Sequence, residues 1–291
     1  MPASQISAIH HRVERFCTFP DFQRHIRSTF SSWPQQVQQA LRLIALNGIT
    51  EPFSGEQVSP QRIHVAHTNF RETLEYQGCL SRQRAVLLLL QVWISEGKLP
   101  PAEQIQVFCP EAVTPFAKRL QSFFPQISCS EYIPDPAHPL RSTIPHQDLC
   151  ALTLADGSVD LVVANEVFEH LYDLPAALGH IARILRPGGF LMATFPFAYN
   201  RYDTIVKARH RDGVTPGVAA EAELLTEPEF HGNPVDPRLV SLVYQIPGWD
   251  LLDQVRSVGL IEPTIHWVAS PSYGVVGQET PGVMVLSASK N

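Results

Sequence analysis

The sequence predicts an α/β protein whose sheet is doubly wound and mostly parallel, with a helical extension in front of it. From about residue 104 onward, short apolar strands alternate with helical patterns, and this alternation produces parallel sheets. One strand, within "VDLVVANEVF" (159–168), is almost continuously apolar, as strands are when helices cover both faces of a sheet. The pattern before residue 101 is helical, so we assign 1–100 to an N-terminal helical extension and 101–291 to the α/β domain.

The extension carries two helical segments. The first, "PQQVQQALRLIALNG" (34–48), places apolar residues at helical spacing and stops at Asn47-Gly48. The second, "RQRAVLLLLQVWISEG" (82–97), follows Ser81, a residue type that commonly caps helix N-termini. Both segments are therefore predicted to be helices.

The α/β domain can be followed element by element from its first strand to the C-terminus. The predicted strands are "IQVFC" (105–109), "QISCSEYI" (126–133), "VDLVVANEVF" (159–168), "GGFLMATFPF" (188–197), "EPTIHWVAS" (262–270) and "GVMVLSAS" (282–289), and the predicted helices are "EAVTPFAKRLQSFF" (111–124), "LPAALGHIARIL" (174–185) and "WDLLDQVRSVGL" (249–260).

A long irregular stretch, about 198–248, interrupts this alternation. It is rich in proline, glycine, histidine and charge, and stretches of this length are uncommon in compact domains unless they are functional. Apolar residues such as Leu242, Tyr244 and Trp249 favour an ordered lid over a disordered insert.

Charge and composition restrict the class of partner. The formal net charge is −6, which argues against a large basic surface and hence against a nucleic acid partner. The N-terminal residues lack the apolar core of a signal peptide, and the longest largely apolar run, ten residues, is too short for a membrane span. We expect a cytoplasmic protein with neither nucleic acid nor membrane as partner; the oligomeric state is not predicted.

Cysteine usage indicates no covalent or metal framework. The cysteines are five, and they are widely spaced without a CxxC motif: Cys17, Cys79, Cys109, Cys129 and Cys150. The sequence therefore predicts neither a disulfide framework nor a metal site.

The block "HQDLCALTLADGSVDLVVANEVFEHLYDLPAALGHIARILRPGGFLMATFPF" (146–197) resembles the class I, Rossmann-like methyltransferases that depend on S-adenosylmethionine. The matching elements are an acid after a strand (Asp148), a small loop, a strand ending in "NEVFEHL", an amphipathic helix and "LRPGGFL". The resemblance implies a seven-stranded sheet, a lid after the fifth strand, and S-adenosyl-L-methionine as cofactor. It also implies O- or N-methylation, and the acidic balance and the lid favour a small-molecule or saccharide acceptor.

One feature departs from the usual nucleotide-binding pattern. The turn after "QVFC", from Pro110 to Pro115, contains no glycine. Either Glu111 and Ala112 meet the cofactor through backbone atoms in ordinary conformations, or the fold is retained as an inactive scaffold or partner subunit. A third alternative is a cofactor-binding enzyme that runs a reaction other than methylation.

Arginines in the extension are candidates for replacing the missing loop. An arginine fork binds a carboxylate bidentately, so Arg82 or Arg84 is a candidate partner for the carboxylate of the cofactor. The alternative is that both are solvated helix charges.

Acids at the strand ends are the next candidates. Glu131 lies about twenty residues after the first turn, where a carboxylate accepts hydrogen bonds from ribose hydroxyls; the alternative is a surface glutamate. Tyr132 is a candidate to lie against the adenine or the ribose, or a core tyrosine. The resemblance implies that Asp148 contacts the exocyclic amine of adenine with Leu149 behind the ring, unless Asp148 caps a turn.

The loop after the most apolar strand and the insertion supply the remaining candidates. Asn165 and Glu166 are expected to face the methionine part of the cofactor. His170 is a candidate general base, because its ordinary pKa is near neutrality, or a residue that orients the loop. His231, in "EFHGNP", is the first choice for a base or binding residue on the acceptor side.

Overall fold

The computed structural model describes residues 11–211, 213 and 222–291. The chain divides into two compact units, Met1–Ala102 with Thr264–Leu286 and Glu103–Pro263 with Ser287–Asn291. All predicted site residues except Arg82 and Arg84 lie in the second unit. The domain boundary placed near residue 100 by sequence stays a prediction.

Seven strands form one mixed sheet, which confirms the predicted α/β fold class. The order across the sheet is β1-β6-β7-β5-β4-β2-β3, where the pairs β2–β3, β2–β4 and β4–β5 are parallel and β1–β6 is antiparallel. The strands are β1 Arg12–Phe16, β2 Val107–Cys109, β3 Ile127–Cys129, β4 Val159–Asn165, β5 Leu185–Thr194, β6 Leu260–Ala269 and β7 Val283–Lys290.

Seven α-helices are found in the described residues. Their bounds are α1 Phe19–Thr29, α2 Trp33–Asn47, α3 Phe70–Thr73, α4 Ser81–Ser95, α5 Pro115–Phe123, α6 Leu174–Ile184 and α7 Leu251–Ser257. Five of them, α2, α4, α5, α6 and α7, correspond to predicted helices. Short antiparallel pairs join Ile49–Thr50 to Gln57–Val58 and Glu75–Tyr76 to Cys79–Leu80. Within the part of the chain that the structure describes, no helix has the length and apolar character that a membrane crossing needs.

The first strand corrects the sequence interpretation. Residues 12–16 belong to the region predicted as helical, yet they form β1 and pair with β6, Arg12 opposite Ala269 and Phe16 opposite Ile265. The strand is short and only Phe16 is buried, so its own pattern carries little strand signal. The pairing with a distant strand decides its conformation.

The element that positions the candidate site is β4. Five consecutive residues at its carboxyl end, 161–165, are buried, as expected for a central parallel strand. After β2, α5 begins at Pro115, where proline is tolerated, and the Thr114 side chain caps this helix by accepting from the N–H of Ala117 at 3.1 Å.

The insertion predicted at 198–248 forms antiparallel pairs in its described residues. Residues 212 and 214–221 lie outside the described part. The pairs join Ile205–Val206 to Gln245–Ile246, Ala208–Arg209 to Glu223–Leu224 and Phe230–Gly232 to Val240–Leu242. In and beside these pairs, Ala208, Ala222, Leu242 and Tyr244 form a small buried core.

The first unit contains a buried histidine, His266, which should make the stability of the protein depend on pH. His266 is 2% exposed and stands edge-on to Trp93, with ring centroids 5.7 Å apart. Burial, with smaller contributions from Arg15 and Lys98, lowers the pKa of His266 to about 4. In the unfolded chain the pKa of this group is about 6.5, so on acidification the unfolded chain takes up the proton at a higher pH than the folded chain. The stability of the folded chain therefore falls as the pH drops from about 6.5 towards 4.

Protonation of His266 should lower the free energy of unfolding by about 2 kcal/mol between pH 7 and pH 5. Urea titrations at the two pH values measure the loss, and His266→Phe should remove that part of it. A variant with the same pH dependence as the wild type would contradict the assignment.

Candidate functional site

The glycine-free turn after β2 is held by a carboxylate. Oε1 of Glu131 accepts the backbone N–H of Ala112 at 2.7 Å and of Val113 at 3.1 Å. These charge-assisted bonds fix the turn without any glycine conformation. The N–H of Ala112 therefore donates to Glu131, and only the carbonyl of Ala112 remains for the predicted backbone contact with a cofactor. That contact stays a prediction.

A second buried carboxylate links this turn to β4. Oε1 of Glu111 accepts the backbone N–H of Asn165 at 3.3 Å, and its Oε2 accepts the hydroxyl of Thr114 at 3.1 Å. The side chain of Glu111 thus connects the turn to the central strand, and the predicted cofactor contact of Glu111 stays a prediction.

Burial raises the pKa of Glu131, whereas the hydrogen bonds that Glu131 accepts from Ala112 and Val113 lower it.

Asn165 presents a buried donor at the carboxyl end of β4. Its Oδ1 accepts the hydroxyl of Thr194 at 2.8 Å, whereas its Nδ2 has no hydrogen-bond partner among the described residues. The residue is 3% exposed, and an unsatisfied buried donor is destabilising by about 1–3 kcal/mol. The amide therefore keeps an unused donor at the carboxyl end of β4.

Glu166 turns the chain out of β4 in an unusual conformation. Its φ is +51°, in the left-handed region that non-glycine residues rarely adopt, and its N–H donates to the carbonyl of Thr194 at 2.8 Å. Such strain concentrates at functional loops. The predicted role of Glu166 at the cofactor stays a prediction.

The residues predicted at the adenine are partly engaged by the protein itself. Oδ1 of Asp148 accepts the N–H of Cys150 at 2.8 Å, which is the turn-capping alternative, and Oδ2 accepts the hydroxyl of Tyr172 at 2.7 Å. Leu149 is buried and Tyr132 is 38% exposed. Burial, followed by the nearby Asp148, raises the pKa of Tyr132. The adenine contacts of all three residues stay predictions.

The guanidinium of Arg84 donates to backbone carbonyls, and its predicted contact with the carboxylate of a cofactor stays a prediction. Arg84 is 1% exposed, and its guanidinium donates to the carbonyls of Cys79 at 2.6 Å, Leu74 at 2.7 Å and Gly274 at 2.8 Å. Backbone acceptors of its own unit therefore occupy its donors. Arg82 donates through Nε to Glu72 at 2.8 Å, and its predicted contact with a cofactor stays a prediction.

Both predicted catalytic histidines meet in one cluster. Nε2 of His170 lies 3.2 Å from Nδ1 of His231, and the two rings stand edge to face. Glu169 is the third member of the cluster: its Oε1 lies 3.5 Å from Nδ1 of His231 and 3.7 Å from Nε2 of His170. No role for Glu169 was predicted from the sequence. The only sequence signal was its place beside His170 in "FEHL".

The environment of the cluster shifts each titrating group. Burial raises the pKa of Glu169 to about 7, and burial lowers the pKa of His170. Contact with the Glu169 carboxylate raises the pKa of His231, against the effect of its burial. The turn that carries Glu169 is also held by the insertion, because the N–H of Tyr244 donates to the carbonyl of Glu169 at 2.8 Å.

Comparison with known proteins finds a methyltransferase similarity in the central part of the chain. A family model described as "Methyltransferase domain" matches residues 128–193. A curated protein of Mycolicibacterium smegmatis, "Probable S-adenosylmethionine-dependent methyltransferase", is 43% identical over 56 residues, which are 19% of this chain and 22% of that protein. The aligned part of the chain thus spans about a fifth of the relative's length.

Two solved structures match this chain at low identity. An S-adenosylmethionine-dependent methyltransferase from Mesorhizobium loti has a TM-score of 0.45 and 13% identity, covering 71% of this chain and 98% of that one. The sugar N-methyltransferase KedS8 from Streptoalloteichus has a TM-score of 0.43 and 16% identity, covering 72% and 87%.

The matched segment contains β4, its loop, α6 and nearly all of β5, which form the centre of the sheet described above. This central segment of the seven-stranded sheet is thus similar to the methyltransferase domain of the family model and to the S-adenosylmethionine-dependent methyltransferase of the curated relative.

Proposed function

We propose that this protein transfers a methyl group from S-adenosylmethionine to O or N of a small-molecule or saccharide acceptor. The observation that carries the proposal is the buried Nδ2 of Asn165, which has no partner among the described residues. This donor lies at the carboxyl end of a central parallel strand, the edge where open α/β sheets bind their ligands. It also lies inside the segment that matches the methyltransferase family.

The residues at this edge suit the parts of the cofactor. We assign Oε2 of Glu131 to the ribose hydroxyls, because both amide bonds of the turn go to its Oε1. Tyr132, Asp148 and Leu149 are assigned to the adenine, and Asn165 with Glu166 to the methionine part.

When bound, the cofactor supplies a methyl group already activated by a positively charged sulfonium. The protein therefore has to bind and orient the acceptor and keep water out. A base is needed only for an acceptor that carries a proton at neutral pH, and His231, with its side chain 33% exposed, is the candidate on the acceptor side.

A compact acceptor fits the charge of the protein. A formal net charge of −6 leaves little scope for the extended basic surface that binds nucleic acid. The insertion adds a small buried core and contacts the turn that carries Glu169, consistent with an acceptor site covered by ordered chain.

Calorimetric titration with S-adenosylhomocysteine tests the proposal, and we expect one binding site per chain. A folded protein that does not bind this compound would be a scaffold instead of an enzyme. If it binds, comparing methylated product with cofactor consumed distinguishes methyl transfer from another reaction of the same cofactor.

Asn165→Asp should weaken binding of S-adenosylhomocysteine by about 5- to 150-fold, equivalent to roughly 1–3 kcal/mol. The change keeps an acceptor for the Thr194 hydroxyl but removes the Nδ2 donor and adds a negative charge. Asn200→Asp, at an exposed position, is the matched control and should bind as the wild type. Equal affinities in the two variants would show that Asn165 does not contact the cofactor.

A further inference from the structure

Glu169, His170 and His231 present three metal-ligand atoms at the spacing of one coordination sphere. Nε2 of His170, Nδ1 of His231 and Oε1 of Glu169 are separated by 3.2, 3.5 and 3.7 Å. Zinc binds such atoms at about 2.0–2.2 Å in a tetrahedron, which places neighbouring ligand atoms roughly 3.4 Å apart. The three separations therefore lie within about 0.3 Å of the edge of such a tetrahedron.

The carboxylate of Glu169 is a second and independent indication. Its side chain is 0% exposed, and neither oxygen has a hydrogen-bond partner among the described residues. A buried carboxylate in this state is strongly destabilising unless a cation or a proton compensates it. The carboxylate of Glu169 therefore needs either a cation bound in the cluster or a proton on one of its members.

The outer ring nitrogens lie near acceptors of the kind found in metal sites. The carbonyl of Leu242 lies 2.8 Å from Nδ1 of His170, so Nδ1 carries the hydrogen and Nε2 directs its lone pair at the cluster. Nε2 of His231 lies 3.5 Å from Oε1 of Glu229, whose other oxygen lies 2.5 Å from Nζ of Lys207. A carbonyl and a carboxylate are the usual outer partners of metal-binding histidines.

We propose that Glu169, His170 and His231 bind one zinc ion, with the fourth position open to water or another ligand. Two imidazole nitrogens and one carboxylate suit zinc, whereas magnesium and calcium prefer oxygen ligands throughout. The partial exposure of His231 leaves a side of the cluster open for the fourth ligand. An occupied site would leave neither histidine free to act as a general base.

The competing explanation is a proton in place of a metal. A doubly protonated His231 could compensate Glu169 by itself and donate through Nδ1 to Nε2 of His170. This arrangement binds no metal, so a metal titration distinguishes the two. The inference does not rest on methyl transfer and is tested without S-adenosylmethionine.

The experiment titrates the full chain with zinc chloride by calorimetry after treatment with a chelator. We expect one zinc ion per chain and a higher melting temperature of the wild type with zinc. His231→Ala and Glu169→Gln should each weaken zinc binding by at least about 100-fold, since even outer-shell changes weaken metal binding 10- to 100-fold. His64→Ala, at an exposed histidine outside the cluster, is the matched control and should bind zinc as the wild type.

Replacement of zinc by cobalt(II) gives a spectroscopic check, because a tetrahedral site shows visible absorption that His231→Ala should abolish. Absence of zinc binding to the wild type, or wild-type affinity in His231→Ala, would overturn the proposal. Should Glu169→Gln fail to fold, the partly exposed His231 still provides the test. S-adenosylhomocysteine titrated into the zinc-free protein reports separately on the proposed function.

Discussion

Arg84→Met is expected to lower the free energy of unfolding by at least about 3 kcal/mol. The substitution keeps much of the volume but leaves the carbonyls of Leu74, Cys79 and Gly274 without their donor. Each buried carbonyl that loses its partner is destabilising by about 1–3 kcal/mol, and bonds from a charged group are at the upper end. Urea denaturation of the full chain measures the loss.

Arg42→Met is the matched control for this prediction. Arg42 is exposed on α2, in the same unit, so its replacement should change stability by no more than about 0.5 kcal/mol. If the two variants are equally stable, the guanidinium of Arg84 does not hold these carbonyls.

Glu131→Ala should weaken binding of S-adenosylhomocysteine by roughly 1–3 kcal/mol and also lower stability by about that amount. The first effect follows from the proposed ribose contact, and the second from the loss of both hydrogen bonds to Ala112 and Val113. Calorimetry and urea denaturation measure the two separately.

Glu131→Gln separates the two roles of this side chain. Its amide oxygen can still accept from the turn, so stability should recover in part, but its NH2 group cannot accept from a ribose hydroxyl. Glu103→Ala, at an exposed glutamate, controls for the loss of charge. Wild-type affinity in Glu131→Gln would remove the ribose assignment and leave Glu131 as a support of the turn.

The absence of glycine after β2 now has a physical account. Glycine-rich turns expose backbone N–H groups to a ligand, whereas here two of these groups donate to Glu131. From the sequence, Glu131 is a candidate for the ribose contact, but nothing in the sequence shows that these amides are its partners. Ala112 and Val113 are 19 and 18 residues away from Glu131 in the sequence. Only the pairing of β2 with β3 brings them together.

Sequence alone determined the fold class, because apolar periodicity is a local property of each segment. The strand around Val162 and the helix that became α6 could be read from their own residues. The strand β1 could not, because its conformation depends on pairing with residues about 250 positions further along the chain.

For the site, the sequence determined which residue types stand at the strand ends, and the tertiary structure decided what each side chain contacts. His170 and His231 are 61 residues apart, and Arg84 and Gly274 are 190 apart. Hydrogen-bond partners at such separations depend on the path of the loops, which carries no periodic signal. The Glu169 cluster and the structural role of Arg84 therefore became visible only in the folded chain.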